Sequence, residues 1–151
     1  MTQSPRYLGA PIALPTNPET FELDIIHIEG GGTSAAMLVR LSCPGFTSLC
    51  PQTGQPDFAH IVIDYAPNGY LVETKALKLF LGAFRQHGAY HEACTSLIFE
   101  KLWGALDPLW MRVSAFWFPR GGIPIDVFVE LGDNAFAARV PPIDIPSYRA
   151  R

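Results

Sequence analysis

The stretch 74-TKALKLFLGAFRQH-87 decides how this chain is assembled. Leu77, Phe80, Leu81 and Phe84 recur at i, i+3, i+4 and i+7, the spacing that lays apolar side chains along one side of an α-helix. Lys75, Lys78 and Arg85 fall together on another side. Gly88 supplies a stop signal. A second helix then follows with no strand between, over roughly 90–106, its stripe made by Cys94, Leu97, Ile98 and Leu102 and its end by Asp107-Pro108. Two helices in succession are not the strand–helix alternation of a doubly wound nucleotide fold.

Strand patterns lie on both sides of this helical pair. Residues 20–28 and 34–42 are β-like, with Gly30, Gly31 and Gly32 between them. The triplet reads either as a phosphate cradle or as a hairpin loop, and the loop is favoured because no helix pattern follows it. Residues 59–66 alternate, with Ile61, Ile63 and Tyr65 on one face and His60, Val62 and Asp64 on the other, and Pro67-Asn68-Gly69 closes them as a turn. Residues 110–118 and 123–131 are two further strands joined across Pro119–Gly122. The expected class is α+β, an antiparallel sheet with two consecutive helices on one face. No GxGxxG or P-loop is present.

The length of 151 residues fits one domain, with 1–19 an extended N-terminal arm and 133–151 a tail that packs on a neighbour. A net charge of −3 argues against a general nucleic-acid binder. The chain is 48% hydrophobic and only 17% charged, so part of its surface is expected to be covered by copies of itself. Three cysteines, Cys43, Cys50 and Cys94, form no CxxC pair and no secreted disulfide framework. The first 19 residues are rich in proline and lack an apolar core of signal-peptide length. No apolar run approaches the ~18 residues that cross a bilayer. The expected compartment is the cytoplasm.

Candidate chemistry concentrates in two places. In 46-FTSLCPQTGQPDF-58 a thiol, Cys50, enters a turn-rich segment, and an acid, Asp57, follows seven residues later. A thiol is mostly protonated at pH 7, and a nearby base that takes its proton makes it a nucleophile. A buried, inert cysteine is the alternative. The second place is 91-HE-92, inside the second helix. A carboxylate there costs free energy unless paired, and Glu92 suits the two neighbouring N–H donors of a guanine-like edge. A solvated glutamate is the alternative. His87, His91 and Cys94, at i, i+4 and i+7, also have the spacing of three zinc ligands on one helical face, although Gly88 interrupts it.

Four motifs together give a resemblance. The run 73-ETKALKLF-80 is similar to the signature of NADPH-dependent 7-cyano-7-deazaguanine reductases. FTSLCPQTGQPDF resembles the nucleophile segment of that family, FRQHGAYHE its substrate helix, and FPRGGIPID its later hairpin. The similarity runs from about Cys43 to Asp126, and the length matches the single-domain form. It implies the tunnelling fold, in which antiparallel sheets of several subunits close an oligomeric β-barrel, as stacked pentamers in the short form, with sites between subunits. The implied activity is reduction of a nitrile to a primary amine with two NADPH and no metal, in queuosine biosynthesis.

The same resemblance implies roles. Cys50 would add to the nitrile and form a thioimide, and Asp57 would donate protons, for which it should be withdrawn from solvent. Val72, Glu73, Thr74, His91 and Glu92 would bind the substrate. Thr74, Lys75, Arg120 and Gly121 would contact NADPH. Thr74 stands where serine is usual, and its extra methyl stiffens χ1. Cys94, three residues after His91, raises the question of a protective disulfide with Cys50. Two other readings stay open: a zinc hydrolase of the tunnelling fold resembling GTP cyclohydrolase I, and a catalytically silent purine or pterin binder that keeps Glu92.

Overall fold

The computed structural model describes residues 6–7, 11–28 and 37–143. Six strands and two helices are found there in the order β1 (Ile25–His27), β2 (Val39–Leu49), β3 (Pro56–Ala66), β4 (Tyr70–Val72), α1 (Thr74–Ala83), α2 (His91–Leu106), β5 (Trp110–Arg120) and β6 (Ile123–Gly132). Four strands make one antiparallel sheet in the order β2-β3-β5-β6, and β1 pairs with β4 in a separate ribbon. Both helices lie against one face of the large sheet, so the α+β class read from the sequence holds.

Side-chain alternation sets that face. Ala59, Ile61, Ile63 and Tyr65 of β3 and Met111, Val113, Ala115 and Trp117 of β5 point into the core. They meet Leu77, Phe80 and Phe84 from the first helical segment and Cys94, Ile98 and Leu102 from α2. The helix read over 74–87 is α-helical only to Ala83 and tightens into a 3₁₀ turn over Phe84–Gln86. At the end of α2, Asp107 turns left-handed (φ 43°) and donates its N–H to Trp103 O at 2.9 Å. On the opposite face of the sheet, Arg40, Asp64, Arg112 and Glu130 stand in register across the four strands.

Several expectations are corrected. The strand read over 20–28 is only Ile25–His27, and it pairs with Tyr70–Val72, a strand the sequence reading did not contain. The strand read over 34–42 instead runs to Leu49, because Pro44 and Gly45 make a bulge where the sequence suggests an end. The Gly30–Gly32 triplet lies outside the described residues. Beyond these corrections, the described part of the tail is met by Arg40, which donates to the carbonyls of Pro141 (2.6 Å) and Pro142 (3.3 Å). Near the N-terminus, Arg6 Nε donates to Asp24 Oδ1 at 2.8 Å and Tyr7 stacks on Phe21.

Two bulges matter most. Between Cys43 and Phe46, two residues of β2, Pro44 and Gly45, oppose the single His60 of β3 between Ile61 and Ala59. The extra residue reverses the alternation, so Phe46 and Ser48 join the helix-facing side that Leu41 and Cys43 occupied before it. Counting on by twos reaches Cys50. A second irregularity, between Trp117 and Arg120 on β5, is closed by the two-residue turn Gly121-Gly122, both at positive φ (58° and 83°). Trp117 and Arg120, three apart, thereby serve the same side of the sheet.

Gly132 ends β6 with φ 106°, and a Cβ there would sit 2.4 Å from Leu109 O and 2.6 Å from Trp110 Cα. Gly132→Ala should lose about 1–3 kcal/mol from backbone strain alone. Gly45→Ala, with nothing within 4 Å of its Cβ, should stay within about 0.5 kcal/mol of the parent. Urea denaturation midpoints check both, and equal midpoints for the two variants would contradict the reading.

Candidate active site

The end of β2 is held to the helical layer by backbone. Leu49 donates its N–H to His87 O (3.0 Å), and Ala89 donates to Leu49 O (3.2 Å), a one-residue parallel bridge between the strand and the loop ahead of α2. Cys50 follows at once and opens a tight turn: its N–H reaches Gln55 O at 2.8 Å, and Gly54 N–H reaches Cys50 O at 2.9 Å. Gln52 Nε2 donates to Tyr90 OH at 3.0 Å, tying this turn to the start of α2. The nucleophile candidate and the substrate-helix candidate are thus set side by side by main-chain bonds.

Around Cys50 the groups are polar and close. The Thr53 hydroxyl, the Arg120 guanidinium, and the N–H groups of Thr53 and Gln52 all favour the thiolate, and together they outweigh burial and bring the thiol down to about 6. Cys50 is only 5% exposed. Asp57 is as buried, also 5%, and stands opposite Ser48 in the sheet. Its Oδ1 lies 3.2 Å from Arg120 Nε, and Arg120 NH1 donates to Oδ2 at 3.4 Å. Arg120 therefore bridges thiol and acid. The withdrawal of Asp57 from solvent expected from the sequence is present.

His91 opens α2 beside this pair. Its Nε2 lies 3.4 Å from Asp57 Oδ2 but makes no aligned hydrogen bond, and it is buried without a partner among the described residues. Its ring is stacked on Trp117 at 4.1 Å. Glu92, the next residue, is exposed. Cys94 is fully buried, and burial pushes its thiol up to about 11, against a lowering contact from Ser48 and with a smaller push from Asp57. Its Sγ lies 3.9 Å from Ala89 O, and all three cysteines are free thiols.

The remaining sequence candidates sit apart from this cluster. Val72 is buried at the end of β4. Glu73 is buried too, and caps α1: its carboxylate accepts the N–H groups of Lys75 (2.9 Å) and Ala76 (2.8 Å). Thr74 lines a cavity of about 310 Å³ between β2 and α1, together with Ser42, Thr47, Lys78 and Arg85 over an apolar floor that includes Leu77. Lys75 is half-buried on α1, and Gly121 is in the exposed hairpin turn beside Arg120. Sequence reasoning gave Arg120 to the cofactor alone, and missed Thr53, Thr95 and Trp117. Only the alternation of β5, which sends Trp117 inward, carried a signal for any of these.

The zinc arrangement does not form. The chain leaves the helix between His87 and Tyr90, His87 packs its ring edge-on against Phe84, and His91 turns to Asp57. Among the described residues no group of three His, Cys, Asp or Glu side chains is placed to hold a metal. No helix among them is long and apolar enough to cross a membrane.

The Cys50 thiol should therefore alkylate with iodoacetamide at a rate half-maximal near pH 6, while Cys94 stays silent until near pH 11. Arg120→Met and Thr53→Val should each move the Cys50 midpoint up, toward the ordinary value near 9. A midpoint indifferent to both substitutions would remove these groups as the cause.

Residues 56–135 match the family profile described as QueF-like protein. A relative from Sinorhizobium medicae (strain WSM419) is 53% identical over 95% of this chain and 92% of its own length, and is named NADPH-dependent 7-cyano-7-deazaguanine reductase. Relatives of the same name from Chelativorans sp. (strain BNC1), 52% identical over 99% of this chain and 97% of theirs, and Maricaulis maris (strain MCS10), 51% identical over 95% and 92%, agree with it. The archaeosine synthase QueF-Like in its apo form superposes with a TM-score of 0.61 at 25% identity, covering 66% of this chain and 98% of that one. Identity at this level over nearly the whole length, on a chain whose thiol, acid and guanidinium meet at one point, places the protein in the family of NADPH-dependent 7-cyano-7-deazaguanine reductases.

Proposed function

We propose that this chain reduces the nitrile of 7-cyano-7-deazaguanine to the primary amine at the expense of two NADPH, with Cys50 as nucleophile and Asp57 as proton donor. The observation that carries this reading is the Cys50 thiol, brought down to about 6 beside a buried carboxylate that shares its guanidinium. A nitrile carbon is a poor hydride acceptor. Addition of the sulfur makes one C–S bond and converts C≡N to C=N, with Asp57 giving the nitrogen its proton. This thioimide accepts hydride far better. After the first hydride, the C–S bond breaks, the electron pair returns to sulfur as thiolate, and an imine remains for the second hydride and a second proton.

Arg120 stabilises the departing thiolate, and His91 Nε2, without another partner among the described residues, is available to the substrate or to Asp57. NADPH, when bound, supplies the two hydrides. Thr74, Lys78 and Arg85 fit its phosphates, because hydroxyls and cations converge there on a cavity with an apolar floor. Arg120 is better placed for the thiolate than for a phosphate. The carboxylate of Glu73 is committed to its helix cap, so Val72–Thr74 would meet the substrate through their backbone.

A second copy completes the site in this reading. Glu92 is exposed and follows His91 in the first turn of α2, free to close on a base held between subunits. Strands β2 and β6 each pair on one side only among the described residues. Ile123, Phe128 and Leu131 of β6 are 67%, 59% and 54% exposed, apolar surface that a neighbour's sheet would cover in a closed barrel.

Purified protein mixed with NADPH and 7-cyano-7-deazaguanine should consume two NADPH per substrate at the nicotinamide absorbance band. Cys50→Ala should consume none, and Asp57→Asn should keep the fold but lose roughly 10²–10⁴-fold in kcat, the usual worth of a positioned proton donor. Wild-type turnover in the Cys50→Ala protein would end the proposal.

A further inference from the structure

We propose that Trp117 is a positioning residue of this site: its indole holds the His91 imidazole in the one orientation that aims Nε2 at Asp57. The proposal rests on the reaction argued above and adds a residue to it. His91 is the first residue of α2, with extended backbone before it and no side-chain cap at Tyr90. An imidazole there would ordinarily turn its polar nitrogens toward water. Instead Nε2 is buried, has no aligned partner among the described residues, and lies 3.4 Å from Asp57 Oδ2. Leaving a buried ring nitrogen without a hydrogen bond costs free energy, so something else must hold the ring.

Trp117 is placed to do so. Its side chain is fully buried, and its ring lies parallel to the imidazole, 9° between planes and 4.1 Å between centroids. Face-to-face contact this close fixes the imidazole plane. The indole also grips the helix start. Nε1 donates to Thr95 Oγ1 at 3.4 Å, and Thr95 Oγ1 donates to His91 O at 2.7 Å. Ring and backbone of His91 are thus held by the same residue. The charged and titratable groups that face this arrangement are Asp57 from β3, Arg120 from β5, Cys50 from the turn after β2, and Cys94 from α2 itself. The bulge after Trp117 lets one strand supply both the ring that orients His91 and the guanidinium that binds Asp57.

The test uses the whole chain labelled with ¹³C at histidine Cε1, with the His91 signal identified by its loss in His91→Gln. A parallel indole at 4.1 Å should displace the His91 proton upfield of the other three histidines. Trp117→Leu should abolish that displacement and lower kcat about tenfold or more, with KM and the Cys50 alkylation rate each within about threefold of the parent. Trp117→Phe, which keeps a flat ring, should retain the displacement and restore most of kcat. Should Trp117→Leu fail to fold, Thr95→Val removes only the hydroxyl link and should shrink the displacement and kcat together.

Three results would overturn the proposal. One is an upfield signal that survives Trp117→Leu, or in its place Thr95→Val. Another is a kcat unmoved when the signal is lost. The third is a fall in kcat matched by an equal fall in Cys50 alkylation and not rescued by phenylalanine, which marks general loosening. If wild-type protein consumes no NADPH, the reaction itself is wrong, and the histidine signal still decides whether Trp117 orients the ring.

Discussion

Two one-residue bulges decide which side of the sheet the chemistry faces. A strand sends successive side chains to opposite faces, so a site built from several strands needs every contributor in the same phase. Asp57 is in phase with Ala59 and Ile61 and so faces the helices. Without the extra residue between Cys43 and Phe46, the count along β2 would carry Cys50 to the other face. Without the one between Trp117 and Arg120, the guanidinium would leave the side on which Trp117 packs. The thiol, the acid and the cation meet because both strands slip by one residue, β2 near its middle and β5 near its end, while pairing on either side of the β2 bulge and along the rest of β5 stays regular for the core.

The backbone bridge from Leu49 to His87 and Ala89 adds the fourth contributor. It fixes the loop between the helical segments against the last residue of β2, so that α2 begins beside Cys50. A buried cluster of this kind is costly to assemble, since Cys50 and Asp57 are both withdrawn from solvent and Arg120 is the cation between them. That single guanidinium serves two partners. It favours the Cys50 thiolate, and its Nε lies 3.2 Å from Asp57 Oδ1. Cys94 shows the contrast: a thiol of the same type, fully buried in the helix-facing core, is pushed up to about 11, and no cation among the described residues lowers it.

The architecture was legible in the sequence where periodicity is strong. The stripe through Leu77, Phe80 and Phe84 and the alternation through Ile61, Ile63 and Tyr65 are repeated signals, and both reach the core as read. The strand Tyr70–Val72 was not legible, because three residues after a turn contain no period. The strand read over 34–42 stops short of Pro44-Gly45, although the change of phase from Leu41 and Cys43 to Phe46 and Ser48 carries the bulge. Cys50, Asp57 and His91 were picked from chemistry and from likeness to the reductases. The approach of His91 depends on contacts 34 and 38 residues apart along the chain, and the place of Arg120 beside Asp57 on one 63 apart, separations that no local pattern encodes. Glu73 shows the opposite hazard: an acid ahead of an apolar helical stripe is the ordinary signature of a cap, and that is what its carboxylate does.

The most direct measurement is intact-mass analysis of the protein incubated with 7-cyano-7-deazaguanine in the absence of NADPH, followed by peptide mapping. Addition of a thiol to a nitrile expels nothing, so the account predicts a gain of the full substrate mass, located on the peptide that carries Cys50. Adduct on Cys43 or Cys94 instead, or no adduct from a protein that does consume NADPH with the same substrate, would contradict a nucleophile assembled by the two bulges.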